Sequence, residues 1–187
     1  HSAWHEGRVR VVGGDLSRHR FGLLCNSWNK LASNVDVVLH CGAHVNLLLP
    51  YSSLHAVNVK GTRTALALAA DAGGVPMHYV STDAVFPREP LPQASHADSS
   101  YLQPCTNLRS EAPLPDKPPF LRSGYSQSKW VAEKLVWEAG TLGLPVSVYR
   151  LGNLGGDTIS GHCNPTDSIM LLLCTCLRLG AAPTNIG

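Results

Sequence analysis

An α/β fold with a doubly wound parallel sheet is predicted by three features of the 187-residue sequence. Short β-branched runs alternate with stretches of helical periodicity, the pattern of successive βαβ units. One run, Val35-Asp36-Val37-Val38-Leu39, is nearly continuous in apolar residues, as expected of a strand covered on both faces. The unusual residues gather just after the runs, at Gly14-Asp15, Cys41-Gly42-Ala43, Ser81-Thr82-Asp83 and Arg150-Leu151-Gly152-Asn153. Sheets of this kind bind ligands beyond the carboxyl ends of their strands.

Taken in order, Arg8-Val9-Arg10-Val11-Val12 reads as a short strand, and Phe21 to Ser33 as a helix containing Leu23, Leu24, Trp28 and Leu31. The Val35–Leu39 strand stops at His40-Cys41-Gly42. Pro50 opens a helix with Leu54, Val57, Gly61, Ala65, Leu68 and Ala72 at helical spacing, and Gly73-Gly74 closes it. Met77-His78-Tyr79-Val80 is the next strand. Eight of the thirteen prolines fall between Pro87 and Pro119 without periodicity, so residues 87–122 are expected to be an irregular insertion. A helix then runs from Tyr125 through Trp137, Gly140 to Gly143 form a turn, and Pro145-Val146-Ser147-Val148-Tyr149 is another strand. A Gly-rich loop from Arg150 leads to a last helix, Asp167 to Leu179, with Ile169, Leu172, Leu173 and Cys176 on one side. No internal repeat is present. The chain reads as a single domain, with residues 151–187 beginning a substrate-binding part.

A length of 187 residues supports one proper core. A net charge of +2, without a basic run, gives no reason to expect nucleic acid or an acidic membrane surface as partner. No apolar run reaches membrane-spanning length and no signal-peptide pattern opens the sequence. The six cysteines have neither a zinc-like nor a disulfide-framework spacing, so free thiols in a reducing, cytoplasmic setting are expected. Cys174 and Cys176 read as core filler.

Tyr125-Ser126-Gln127-Ser128-Lys129 carries the chemistry. At i and i+4 of a helix, Tyr125 and Lys129 leave the same face, placing an ammonium beside a phenol. The charge is expected to lower the phenol pKa toward working pH, where it exchanges a proton with an alcohol or carbonyl oxygen. Thr82, at the end of the preceding strand, adds a hydroxyl to the same carbonyl site. The competing reading of Thr82 is a residue that caps a turn. Asp83 reads as a loop carboxylate, and Trp130 and Trp137 as helix-packing residues. His40 and His44 flank a strand end, which does not suit a shared metal, and His44 is expected to pack against the cofactor or pocket. Arg150 either meets a phosphate or anchors its loop.

These residues together resemble an extended short-chain dehydrogenase/reductase, specifically the thioester reductase domains of nonribosomal peptide and polyketide synthases, carboxylic acid reductases and α-aminoadipate reductase. The resemblance is carried by His40-Cys41-Gly42-Ala43-His44-Val45-Asn46, Pro50-Tyr51, Asn58-Val59-Lys60-Gly61-Thr62, Val80-Ser81-Thr82, Tyr125-Ser126-Gln127-Ser128-Lys129-Trp130, Tyr149-Arg150-Leu151-Gly152-Asn153 and Asn164-Pro165-Thr166-Asp167. It spans about Val9 to Pro183 and implies a Rossmann-like fold. By this resemblance Tyr125 is the proton donor, Lys129 tunes it and holds the nicotinamide ribose, and Thr82 hydrogen-bonds the substrate carbonyl. Asp15 and Leu16 meet the adenine, Gly42 and Ala43 let the backbone approach the cofactor, Asn58 lies near the site, and Gly152 and Asn153 border the nicotinamide. The implied cofactor is NADPH. The implied partner is a phosphopantetheinyl carrier protein bearing an acyl or peptidyl thioester, which is reduced to an aldehyde and, in some members of the family, on to an alcohol.

The family's opening strand and Gly-x-x-Gly-x-x-Gly phosphate loop have no counterpart in this sequence. The first strand matches the family's third, so a sheet truncated at the N-terminus, with an unpaired edge, and a shortened C-terminal substrate domain are expected. Two other readings stay open: a non-catalytic or degenerate fragment with a binding or structural role, and a sugar-nucleotide epimerase or dehydratase.

Overall fold

The computed structural model describes residues 8–86, 111, 113–117, 120–121 and 123–183. The chain divides into two compact units, His1–Arg150 and Leu151–Gly187.

In the first unit, helix α1 (Cys25–Ala32) leads to strand β1 (Val38–His40). Helix α2 (Tyr51–His55) continues through one π turn (Ala56–Lys60) into helix α3 (Gly61–Asp71), which ends before Gly73 and Gly74, both at positive φ. Strand β2 (Met77–Thr82) precedes a tight turn at Asp83–Val85. Helix α4 (Gly124–Thr141) and strand β3 (Val146–Leu151) follow. The sheet has the order β1-β2-β3, and β1 and β2 run parallel, with Val38, Leu39 and His40 beside Met77, His78 and Tyr79. These are the strands and helices expected of βαβ units, and the turn expected over Gly140–Gly143 is confined to Leu142 and Gly143 because α4 runs on to Thr141.

The core lies where α1, α3 and α4 meet one face of the sheet, around Trp28, Val38, Leu68, Met77, Tyr79 and Val136. A smaller cluster joins Val85, Leu114, Leu121 and Trp130, so Trp130 packs as its helical position suggests. Within residues 87–122 only 111, 113–117 and 120–121 are described; there Leu114 is buried and Asp116 pairs with Lys134 of α4 at 3.2 Å. The irregular course expected of the remainder lies outside the described residues.

Three expectations are corrected. Arg8–Val12 is not a strand: Val11 is 89% exposed, and an extended run becomes a strand only where a neighbour takes its backbone groups. The Val35–Leu39 run is not covered on both faces. Only Val38–His40 is strand, and it alternates, with Val38 and His40 buried while Val37 and Leu39 are 50% and 65% exposed. Composition reports that a run is apolar, whereas burial depends on what packs over it. The helix expected over Phe21–Ser33 is shorter, because Arg20 and Phe21 adopt left-handed backbone angles (φ 50° and 56°) and delay its start to Cys25.

In the second unit, helix α5 (Ser168–Leu179) begins where the Asp167 carboxylate caps the amides of Ile169 and Met170. Ile169, Leu172 and Cys176 are half-buried along one stripe. Leu173, expected with them, is 50% exposed, and Cys174 is exposed rather than core filler. Cys25 and Cys41 are exposed as well, and the five described cysteines are free thiols. Among the described residues no helix is long and apolar enough to cross a membrane.

Candidate active site

The site forms at the carboxyl ends of β1 and β2 and the start of α4. Ser123 caps α4 by accepting the Ser126 amide at 3.0 Å, which fixes the turn carrying Tyr125. Gly124 sits against the start of α2: a Cβ there would lie 2.4 Å from the Tyr51 nitrogen and 2.5 Å from the Leu49 oxygen. Only a residue without a side chain lets the two backbones approach this closely.

One turn on, Lys129 is 3% exposed. Its ammonium donates to the Val80 carbonyl at 2.8 Å and lies 4.2 Å from the centre of the Tyr79 ring. Burial pushes its pKa down to about 8, against the upward pull of the Glu133 carboxylate and of Cys41. The Tyr79 hydroxyl is buried without a hydrogen bond of good geometry among the described residues. Burial holds that phenol up, outweighing the opposing influence of the nearby Thr62 hydroxyl.

Tyr125 behaves differently from the sequence expectation. Its pKa is raised, first by burial and then by the Asp83 carboxylate, rather than lowered by Lys129. The ammonium is directed to Val80 and Tyr79, and helical spacing alone cannot say which way a four-carbon stem turns. Tyr125 is therefore a protonated phenol at neutral pH.

Thr82 caps the Asp83–Val85 turn, accepting the Ala84 amide at 3.2 Å, and donates to Asp83 Oδ1 over a long 3.3 Å. The turn-capping contact is thus present, and its hydroxyl proton is only weakly engaged. Asp83 is an exposed loop carboxylate.

Asn58 is fully buried in the π turn, a local widening often found at functional sites. It accepts the His44 amide (2.7 Å), donates to the His44 carbonyl (3.1 Å) and donates to Ser128 Oγ (2.9 Å). Ser128 in turn donates to the Tyr125 carbonyl at 2.8 Å. Asn58 thus ties the loop after β1 to the backbone of the Tyr125 turn. The His44 side chain is exposed. His40 is buried, with Nε2 3.0 Å from Thr62 Oγ1; because Thr62 donates its proton to the Asn58 carbonyl, Nε2 is the donor. Burial and the Lys129 charge lower the His40 pKa to about 4, so the ring is neutral.

Asp15 and Leu16 lie on the loop before α1. Asp15 accepts from the amide and hydroxyl of Ser17 and pairs with Arg18 at 3.3 Å, contacts that hold its carboxyl below the usual range. Leu16 packs on Gly42: a Cβ there would lie 2.7 Å from Leu16 Cδ1. The missing side chain of Gly42 therefore admits Leu16, a role the glycine alone did not suggest. Ala43 is half-buried beside it in sequence. Gly152 and Asn153 are exposed and belong to the second unit.

Sequence reasoning missed Glu133, the i+4 neighbour of Lys129. It is fully buried and accepts from Ser81 Oγ (2.5 Å), Trp137 Nε1 (3.0 Å) and the Arg150 guanidinium (2.9 and 2.6 Å). Arg150 also lies over the Phe86 ring, 4.9 Å from its centre. Of the two roles open to Arg150, the structure displays the anchoring one. An acid inside an apolar helix face, one turn after Lys129, was the available signal.

With this geometry in view, comparison with known proteins gives a family. Residues 2–187 match the NAD-binding family described as Male sterility protein. The chain belongs to that family. It is 42% identical over 176 residues to a glycine betaine reductase of Emericella nidulans, covering 94% of this chain and 13% of that protein. It is 36% identical over 186 residues to the L-2-aminoadipate reductase of Schizosaccharomyces pombe, covering 98% and 13%. Among solved structures, the terminal R domain from the myxalamid PKS-NRPS pathway superposes with a TM-score of 0.74 at 39% identity, over 92% of this chain and 40% of that one. The chain thus spans about an eighth of these curated relatives and two-fifths of the solved domain. The similarity supports the resemblance to thioester reductase domains and the Rossmann-like parallel-sheet fold.

The residues present fit a nicotinamide cofactor. Lys129 uses one N–H on Val80 and keeps two further N–H donors, the kind of group that a ribose diol accepts from.

Proposed function

We propose that this chain carries the catalytic residues of an NADPH-dependent reductase acting on an acyl or peptidyl thioester held by a phosphopantetheinyl carrier protein, with an aldehyde as product. The observation that carries the reading is Lys129, an ammonium buried at a strand's carboxyl end with a single hydrogen bond among the described residues. Burying a charge is expensive, and such a group is retained where chemistry uses it. NADPH rather than NADH, the carrier partner and the aldehyde rest on the resemblance to thioester reductases.

In this reading Lys129 holds the nicotinamide ribose, Tyr125 borders the cofactor, and Asp15 and Leu16 meet the adenine. The cofactor, when bound, supplies hydride. Thr82 turns its weakly held proton from Asp83 toward the thioester carbonyl oxygen. Tyr125, protonated at neutral pH, gives its proton to that oxygen as negative charge develops there, and the hemithioacetal so formed breaks its C–S bond to release the aldehyde and the carrier's free phosphopantetheine thiol, which takes up the hydroxyl proton. Asn58, through Ser128, keeps the Tyr125 turn in register with the loop after β1. Gly42 and Ala43 border the cofactor.

Tyr125→Phe is expected to lower thioester-dependent NADPH oxidation at least 100-fold while the NADPH dissociation constant, read by calorimetry, changes less than threefold. Turnover retained by that variant removes Tyr125 from its role. Absence of NADPH binding by the wild-type chain favours the non-catalytic reading.

A further inference from the structure

A basic cleft of about 590 Å3 lies in the first unit between the Asp15–Leu23 loop and the outer side of α3. Arg18, Arg20, Lys60 and Arg63 line it, four of the chain's fifteen Lys and Arg residues, although the chain as a whole carries only +2. Asp71 is the one acid in the lining, and its carboxylate already accepts the Trp28 indole N–H at 2.8 Å. Lys60 and Arg63 are exposed and make no ion pair among the described residues.

The loop is organised rather than slack. Asp15 N–H donates to the Phe21 carbonyl at 2.9 Å, closing it, and Arg18 N–H and Phe21 N–H bridge within it. Arg20, Phe21 and Gly22 are consecutively left-handed (φ 50°, 56° and 75°), a conformation that ordinary side chains adopt only where the surroundings enforce it. The outcome is a fixed Arg20, its guanidinium 5.8 Å from the Trp28 ring centre and donating to Cys25 Sγ at 3.2 Å. Preordered guanidinium groups favour bidentate recognition of phosphate oxygens. The volume falls within the roughly 300–1,000 Å3 of small-molecule sites and exceeds what a bare anion fills.

We propose that this cleft binds the phosphate group of a small organic molecule. The phosphate belongs either to a nucleotide or to a phosphopantetheine arm, and the two sources are separable. Binding here does not depend on the reductase reading, and Tyr125→Phe is expected to leave it unchanged.

Calorimetric titration of the full chain at low ionic strength with 2′,5′-ADP, 4′-phosphopantetheine and inorganic phosphate tests the proposal. At least one organic phosphate is expected to bind, with Lys60→Glu and Arg63→Glu each weakening it tenfold or more. Binding of 2′,5′-ADP identifies a nucleotide, and binding of 4′-phosphopantetheine identifies a carrier arm. Lys60 and Arg63 are exposed, so thermal melts of both variants should match the wild type. Absence of binding by either organic phosphate, or binding that neither charge reversal alters, overturns the proposal.

Discussion

His40 sits 6% exposed between Thr62 and the Tyr79 ring, with the Lys129 charge nearby, and its pKa falls from 6.5 to about 4. Between those values the unfolded chain binds a proton that the folded chain does not, so folding loses stability as pH drops through that window. The loss amounts to about 3 kcal/mol in all. Above pH 6.5 the contribution is complete. His40→Gln, which keeps a donor for Thr62, is expected to flatten this part of the stability profile; urea midpoints between pH 7 and 4 measure it. An unchanged slope in the variant assigns the acid sensitivity to other groups. The motif residues Thr82, Tyr125 and Lys129 were legible from spacing and residue type. The direction of the Tyr125 pKa was not, because it depends on burial and on Asp83, which come from other parts of the fold.

At the scale of elements, the strands and helices around the site followed from periodicity and punctuation, with Pro50 and Gly73 bounding the long helix, whereas the Ser123 cap that starts α4 appears only in the structure. Gly124 tests which force governs the start of α4. Helix propensity alone makes Gly→Ala favourable by up to about 1 kcal/mol. Contacts of 2.4–2.5 Å with the Leu49–Tyr51 backbone oppose it, and backbone cannot step aside as a side chain can. Gly124→Ala is therefore expected to destabilise by roughly 2–3 kcal/mol, as overpacking does. Thermal or urea unfolding decides; a stabilised variant would show that α4 shifts freely against α2. The sequence overextended its strands because a ladder needs a partner, and the β-branched Arg8–Val12 run has none among the described strands.

Across the first unit, the Glu133–Arg150 pair joins α4 to the end of β3 and, through Ser81, to the strand end that carries Thr82. The Glu133 side chain is 0% exposed and takes two of its hydrogen bonds from the Arg150 guanidinium. Removing the guanidinium strips those donors from a buried carboxylate, at a cost of about 3–5 kcal/mol, whereas removing both partners leaves no carboxylate to satisfy. Glu133→Leu and Arg150→Met are each expected to destabilise by that order, and the double variant by clearly less than their sum. Additive losses in urea unfolding would show that the pair is not coupled.

Sequence by itself determined the α/β alternation, the place of Thr82 at a strand end and that of Tyr125 and Lys129 one turn apart on the next helix, because periodicity and local spacing are properties of the chain. Tertiary structure decided the rest. It directed the Lys129 ammonium to Val80, kept Tyr125 protonated, filled the Gly42 gap with Leu16 and drew Glu133 and Arg150 into one buried network. Each of these depends on residues tens of positions apart meeting in a low-dielectric interior, where burial and the nearest charge, rather than residue type, set the chemistry.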